Sequence, residues 1–166
     1  AMAGVFPEAF TQDEIKAIQK YDLTESRKLL AEAGFAGGLE LEFIFPGKSY
    51  GEAYITSMEL LQAQLKKAGI NMTLKSLDKA DESERKKTNN YTLTHTSKSL
   101  ESDVDSYLFN VFHPSSKGNY GGTNDPVLTE LLLSQRRETD PKKRLDIVRQ
   151  AGKRIYDQAH ALALYA

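Results

Sequence analysis

The sequence has no cysteine and no tryptophan, and only three histidines among its 166 residues. Without cysteine there can be no disulfide, no thiolate metal ligand and no cysteine nucleophile. The histidines, His95, His113 and His160, fall in different segments and never at metal-ligand spacing, so each reads as a structural or surface residue. An excess of charge of one sign is also missing. Twenty-two Lys and Arg face 23 Asp and Glu, for a net charge of −1. Bulk charge therefore gives no argument for nucleic acid or an anionic membrane as a partner. No apolar run approaches the roughly 20 residues of a membrane-spanning helix. The opening "AMAGVFPEAF" lacks a basic region followed by an apolar one, so it is not expected to be a signal peptide.

Motifs of catalysis are absent as well. No GxSxG elbow occurs, and no nucleophile, base and orienting group can be assembled from spacing. "DVD" at Asp103–Asp105 lacks the Gly and terminal Glu of a calcium loop, and Asp103 is more simply a cap for the helical piece that follows. "GNYGG" (Gly118–Gly122) matches neither a dinucleotide nor a phosphate-loop pattern and reads as a turn. "ERKK" (Glu84–Lys87) reads as a solvated helix face. The expectation is a protein that is not an enzyme and needs no cofactor or metal.

The chain does hold the makings of one domain, with 40% apolar and 27% charged residues. "TQDEIKAIQ" reads as a short helix with Thr11 at its start. "DLTESRKLLAEAG" has Asp22 as N-cap, Glu25 three residues on as in a capping box, and Gly34 as the stop. "LELEFIF" (Leu39–Phe45) alternates and then turns wholly apolar, as a strand does when its far end is buried. A loop, "PGKSYGE", leads to a helix with Ile55, Met58, Leu61, Leu65 and Ala68 on one face, ending at Gly69. "INMTLKSL" alternates again. Strand, long helix, strand makes a βαβ unit with parallel strands.

"DKADESERKKTNN" reads as a polar helix and "YTLTHT" as a third strand. The stretch 97–122 is mixed, with the apolar piece "SYLFNVF" among loops. Two helices follow, opened by Asp125-Pro126 and Asp140-Pro141 as N-cap and first helical residue. Leu145, Val148, Ala151 or Gly152, Ile155 and Ala159 form the buried stripe of the last one, and "ALALYA" suggests a closing strand. The fold class is α/β, with a mixed, partly parallel sheet flanked by helices.

Several of these segments together resemble family 5 extracellular solute-binding proteins, the peptide, nickel and oligosaccharide receptors of ABC importers. "YDLTESRKLLAEAGF" is similar to that family's YDPxxAxxLLxEAG. "MELLQAQLKKAGINMTLKSLD" is similar to LQxxLxxxGIxVxLxxxD. "DVDSYLFNVFHPSSKGNYGGTNDPVLTELL" and "ETDPKKRLDIVRQAGKRIYDQAHALALY" follow the rest of the pattern in order, so the resemblance covers nearly the whole chain from about Tyr21. It implies that residues 1–166 are a single lobe of a type II periplasmic-binding-protein-like fold. The N-terminal lobe and the signal sequence would then lie outside this chain. The implied function is capture of a peptide or similar small solute by hinge closure, with an ABC permease as partner. The setting would be periplasmic, or extracellular and membrane-anchored. The alternative is the sensing domain of a transcriptional regulator with the same fold.

Sites in open α/β sheets lie beyond the carboxyl ends of the strands. That rule selects the loop with Lys48, Ser49 and Tyr50 and the loop from Ser97 to Asp103, with Lys98, Ser99, Glu101 and Asp103. In peptide-binding relatives a basic side chain in the first loop and an acidic one in the second serve the peptide termini. The resemblance assigns these roles to Lys48 and to Glu101 or Asp103. The chain departs from the family at two points of the second loop. "TSKSL" stands where a tryptophan is usual, and the usual DPD reads Asp103-Val104-Asp105.

Overall fold

The structure is a computed structural model, described here for residues 10–18, 20–95 and 104–161. The chain divides into two compact units. One is continuous, Tyr21–Ser97; the other joins Ala1–Lys20 to Lys98–Ala166.

In the continuous unit, α2 (Leu23–Glu32) is capped by Asp22, whose carboxylate accepts from the Glu25 amide at 3.0 Å. It ends as its sequence suggested. Gly34 takes a φ of +90°, and the Phe35 amide donates back to the Leu30 carbonyl at 2.8 Å. Strand β1 (Leu39–Phe45) follows, then a 3₁₀ turn (Gly47–Tyr50), α3 (Glu52–Ala68) and β2 (Ile70–Ser76). After these come α4 (Lys79–Lys87) and the two-residue strand β3 (Leu93–Thr94). The sheet order is β2-β1-β3, and both pairings are parallel. β1 meets β2 along its whole length, Leu39 opposite Ile70 through Phe45 opposite Ser76, but meets β3 only at Phe43 and Ile44. The third strand is therefore shorter than the alternation of "YTLTHT" suggested.

β1 is increasingly buried along its course, ending in Phe43, Ile44 and Phe45. Phe43 and Phe45 pack with Met58 of α3 and Met72 of β2, with Ile55, Leu61 and Leu65 around them. Each such side chain contributes on the order of 1.5–3 kcal/mol by leaving water. α3 closes at Gly69, in the left-handed region at φ +95°. The Arg27 guanidinium of α2 donates to the Lys67 carbonyl at 2.7 and 3.1 Å, covering an acceptor that the helix end leaves open.

The other unit contains α1 (Gln12–Ile18), α5 (Val104–Phe112), α6 (Pro126–Arg137) and α7 (Pro141–Asp157). Thr11 and Glu14 make a capping box at α1. The Thr11 hydroxyl accepts from the Glu14 amide at 3.2 Å, and the Glu14 carboxylate accepts from the Thr11 amide at 2.7 Å. The core joins Leu108, Val111 and Phe112 of α5 to Leu128 and Leu132 of α6 and Val148, Ala151 and Ile155 of α7. "SYLFNVF", the apolar piece between loops, lies in the helix that Asp103 was read to precede, with Leu108, Val111 and Phe112 at the i, i+3, i+4 spacing of one face. Ala159 is a correction in the opposite sense. α7 stops at Asp157, and Ala159 is exposed at φ +51°. The strand suggested for "ALALYA" falls almost wholly outside the described residues.

The turn at Gly118–Gly122 is tight. A Cβ on Gly118 would come within 2.8 Å of the Asn110 carbonyl oxygen, which belongs to helix backbone and cannot move aside. Gly118→Ala is expected to cost about 1–3 kcal/mol, the usual penalty of overpacking. A urea melt of this variant showing an unchanged midpoint would refute that close approach.

Candidate functional site

The first candidate loop begins where β1 ends. Phe45 stays in register with Ser76, and its carbonyl accepts from the Leu77 amide at 2.9 Å. Pro46 is fully buried, and a Cβ on Gly47 would lie 3.1 Å from that of Ser76. The loop is therefore clamped at its root. The Ser49 amide donates to the Pro46 carbonyl at 2.9 Å, closing the 3₁₀ turn that carries Lys48, Ser49 and Tyr50. Gly51, at φ +78°, then turns the chain into α3. The three residues of this loop read as solute contacts, Lys48, Ser49 and Tyr50, all lie in the turn, and Ser49 is exposed. Tyr50 is 45% exposed. Lys98, Ser99, Glu101 and Asp103 lie outside the described residues.

The structure brings to this loop a residue that sequence reasoning had set aside. His95 follows β3 directly, and its ring meets that of Tyr50 edge-on, with centroids 5.0 Å apart at 89°. Tyr54 of α3 lies 5.2 Å from His95 and 5.1 Å from Tyr50. Phe43 lies 6.5 Å from His95 on the sheet side. Beside them are Glu82 and Lys86 of α4, one turn apart and ion-paired. The Glu82 carboxylate lies 3.8 Å from His95 Nδ1. The side chains of His95 and Glu82 are each 8% exposed, and that of Lys86 is 12% exposed. Neither ring nitrogen of His95 has a hydrogen-bond partner among the described residues. Burial pushes the imidazole below its ordinary pKa, and the Lys86 ammonium adds to this against the opposing pull of Glu82.

The reading of "ERKK" as a solvated face is therefore half right. Glu84 and Lys87 are exposed, while Arg85 and Lys86 turn inward. The available signal was Glu82 four residues before Lys86, which marks a pair but not the side it faces.

The remaining polar groups of the earlier motifs are committed elsewhere. Asp105 accepts from Gln135 Nε2 and from Arg136 Nε at 2.6 Å. The Arg136 guanidinium lies 3.8 Å over the ring of Phe109, which stacks on His113 at 4.1 Å. His160 binds Asp125 at 2.9 Å. Among the described residues, no three His, Asp or Glu side chains converge so as to hold a metal ion. No helix among them is long and apolar enough to cross a membrane.

Residues 1–119 match the family model described as "Bacterial extracellular solute-binding proteins, family 5 Middle". The chain belongs to that family. No curated protein matches it. Solved structures of binding proteins share the fold. AgaA of A. tumefaciens R10, in complex with agropinic acid, is 22% identical with a TM-score of 0.79, over 92% of this chain and 31% of its own. DppA of Helicobacter pylori, in complex with the peptide STSA, is 20% identical with a TM-score of 0.73, over 84% and 28%. NikA of Staphylococcus aureus, in complex with Ni(L-His)2, is 21% identical with a TM-score of 0.72, over 85% and 30%. The chain thus spans less than a third of the length of these three structures. The small parallel sheet flanked by helices is the α/β architecture that the sequence suggested.

Proposed function

We propose that the chain is one lobe of the solute receptor of an ABC importer, taking a peptide or a similar small solute by hinge closure without chemistry on it. The family match over residues 1–119 carries this reading. The neighbours named above are in complex with agropinic acid, a peptide and Ni(L-His)2, so the scaffold is compatible with several solute classes. In the full-length protein a second lobe would supply the opposite wall of the site, and a permease would receive the closed form. The setting is the periplasm or the outer face of a membrane.

Lys48, Ser49 and Tyr50 at the end of β1, with Lys98, Ser99, Glu101 and Asp103 in the second loop, are the proposed solute contacts. Opposite charges in the two loops suit a zwitterion, since each terminus gains a charge-assisted hydrogen bond when water leaves. In the full-length protein, Lys48→Ala and Glu101→Ala should each weaken binding of a tripeptide such as trialanine by about 1–3 kcal/mol. Titration calorimetry is the test, and affinity unchanged in both variants would overturn the zwitterion reading.

A further inference from the structure

We propose that His95 is an acid-sensitive latch on the first solute loop: the neutral imidazole fills a closed seat against the ring of Tyr50, and a proton added to it opens that seat. That this loop meets a solute rests on the function proposed above; the latch is a property of the Tyr21–Ser97 unit alone.

The seat has walls from four elements. Phe43 of β1 offers only hydrocarbon. Tyr50 of the 3₁₀ turn and Tyr54 of α3 offer ring contacts at 5.0 and 5.2 Å. α4 contributes two charges of opposite sign, Glu82 and Lys86, already paired with each other. A neutral imidazole fits such a place by its shape. An imidazolium does not, because it adds a second N–H donor and a charge where, among the described residues, neither ring nitrogen has a hydrogen-bond partner. Among the described residues Glu82, at 3.8 Å, is the carboxylate paired with it, and Lys86 already holds that carboxylate. A buried nitrogen without a partner is costly even when neutral, and far more so when charged. The sign follows from linkage. A base held neutral by the fold binds fewer protons folded than unfolded. Its seat is therefore fully stable above the ordinary imidazole value, and weakens as pH falls through about 6.5 and below.

Tyr50 is the element that reads this change. The residue is about half exposed, and its ring meets those of His95 and Tyr54. Expelling the imidazole removes a ring contact from a residue of the proposed solute loop. Acid would then slacken the loop without touching the solute.

The test is an NMR titration of the 166-residue chain, following the His95 Hε1 and Tyr50 ring signals. The latch requires a His95 midpoint below that of a histidine in a short peptide, and Tyr50 signals that move with the same midpoint. Lys86→Gln should raise the midpoint, because it removes a neighbouring cation and frees Glu82. His95→Phe fills the seat with a ring that cannot titrate, and should abolish the Tyr50 response. A His95 midpoint at or above the peptide value, or Tyr50 signals indifferent to it, would overturn the latch. Neither readout involves a solute, so failure here is distinct from failure of the tripeptide titration.

Discussion

Phe45→Ala should lower the unfolding free energy of the Tyr21–Ser97 unit by about 3–5 kcal/mol, the range for truncating a buried Phe. Phe45 is 3% exposed, and its ring lies 6.0 Å from both Phe43 and Tyr54. It shares its cluster with Met58 and Met72. The sheet and α3 converge on this ring, so the space it leaves has walls that cannot simply collapse. Denaturant midpoints give the total, and amide exchange gives the location. Protection should fall across β1, β2 and α3 while α6 and α7 keep theirs, because those helices belong to the other unit. Uniform loss across both would show instead that the chain unfolds as one body.

Asp125→Ala is the corresponding change in the other unit. One carboxylate oxygen caps α6, accepting from the amides of Val127 at 2.9 Å and Leu128 at 3.1 Å. The other accepts from Arg154 Nε at 2.7 Å and meets His160 Nε2 at 2.9 Å. The Asp125 side chain is 6% exposed, and Arg154 is partly sheltered with it. Losing the cap costs about 1 kcal/mol, and leaving the partly sheltered Arg154 without its carboxylate adds to that, so about 2 kcal/mol is expected. Asp125→Asn should cost less, since its amide oxygen can still cap the helix. The Arg154 and His160 hydrogen bonds hold the carboxyl well below the usual carboxylate range. A depressed carboxylate contributes stability above its unfolded value of about 3.9, and that contribution drains away as pH falls below it. Acid unfolding of the wild type between about pH 4 and pH 2 should therefore be steeper than that of Asp125→Ala. Equal slopes in circular dichroism acid titrations would count against this role for Asp125.

What sequence made legible was mostly local. Asp22, Asp125 and Asp140 cap the helices they precede, and Gly34 and Gly69 end the helices they follow. In each case the signal lies within a turn of its effect. The alternation in "LELEFIF" foretold burial growing toward Phe45 because one strand carries both the pattern and its consequence. Long-range pairing of polar groups was not legible. Nothing near Asp105 announces Gln135 and Arg136 some 30 residues on. Nothing in "YTLTHT" says that His95 will be enclosed by rings from the 3₁₀ turn and α3. Of the proposed site, the first loop was readable from strand direction, but its support by His95 depends on where three distant elements happen to meet.

The division into two units also orders assembly in time. Tyr21–Ser97 is one uninterrupted stretch, so all its pairings can form without waiting for distant chain. The other unit cannot close that way. Glu14 must find Arg149, 135 residues further on, and the pair is exposed and worth little by itself. Closing so long a loop costs entropy before any contact rewards it. Contacts over long separations slow folding, so the intervening stretch should gain its protection first and shorten the search for the ends. Pulse-labelled amide exchange during refolding should show β1 and β2 protected before α1.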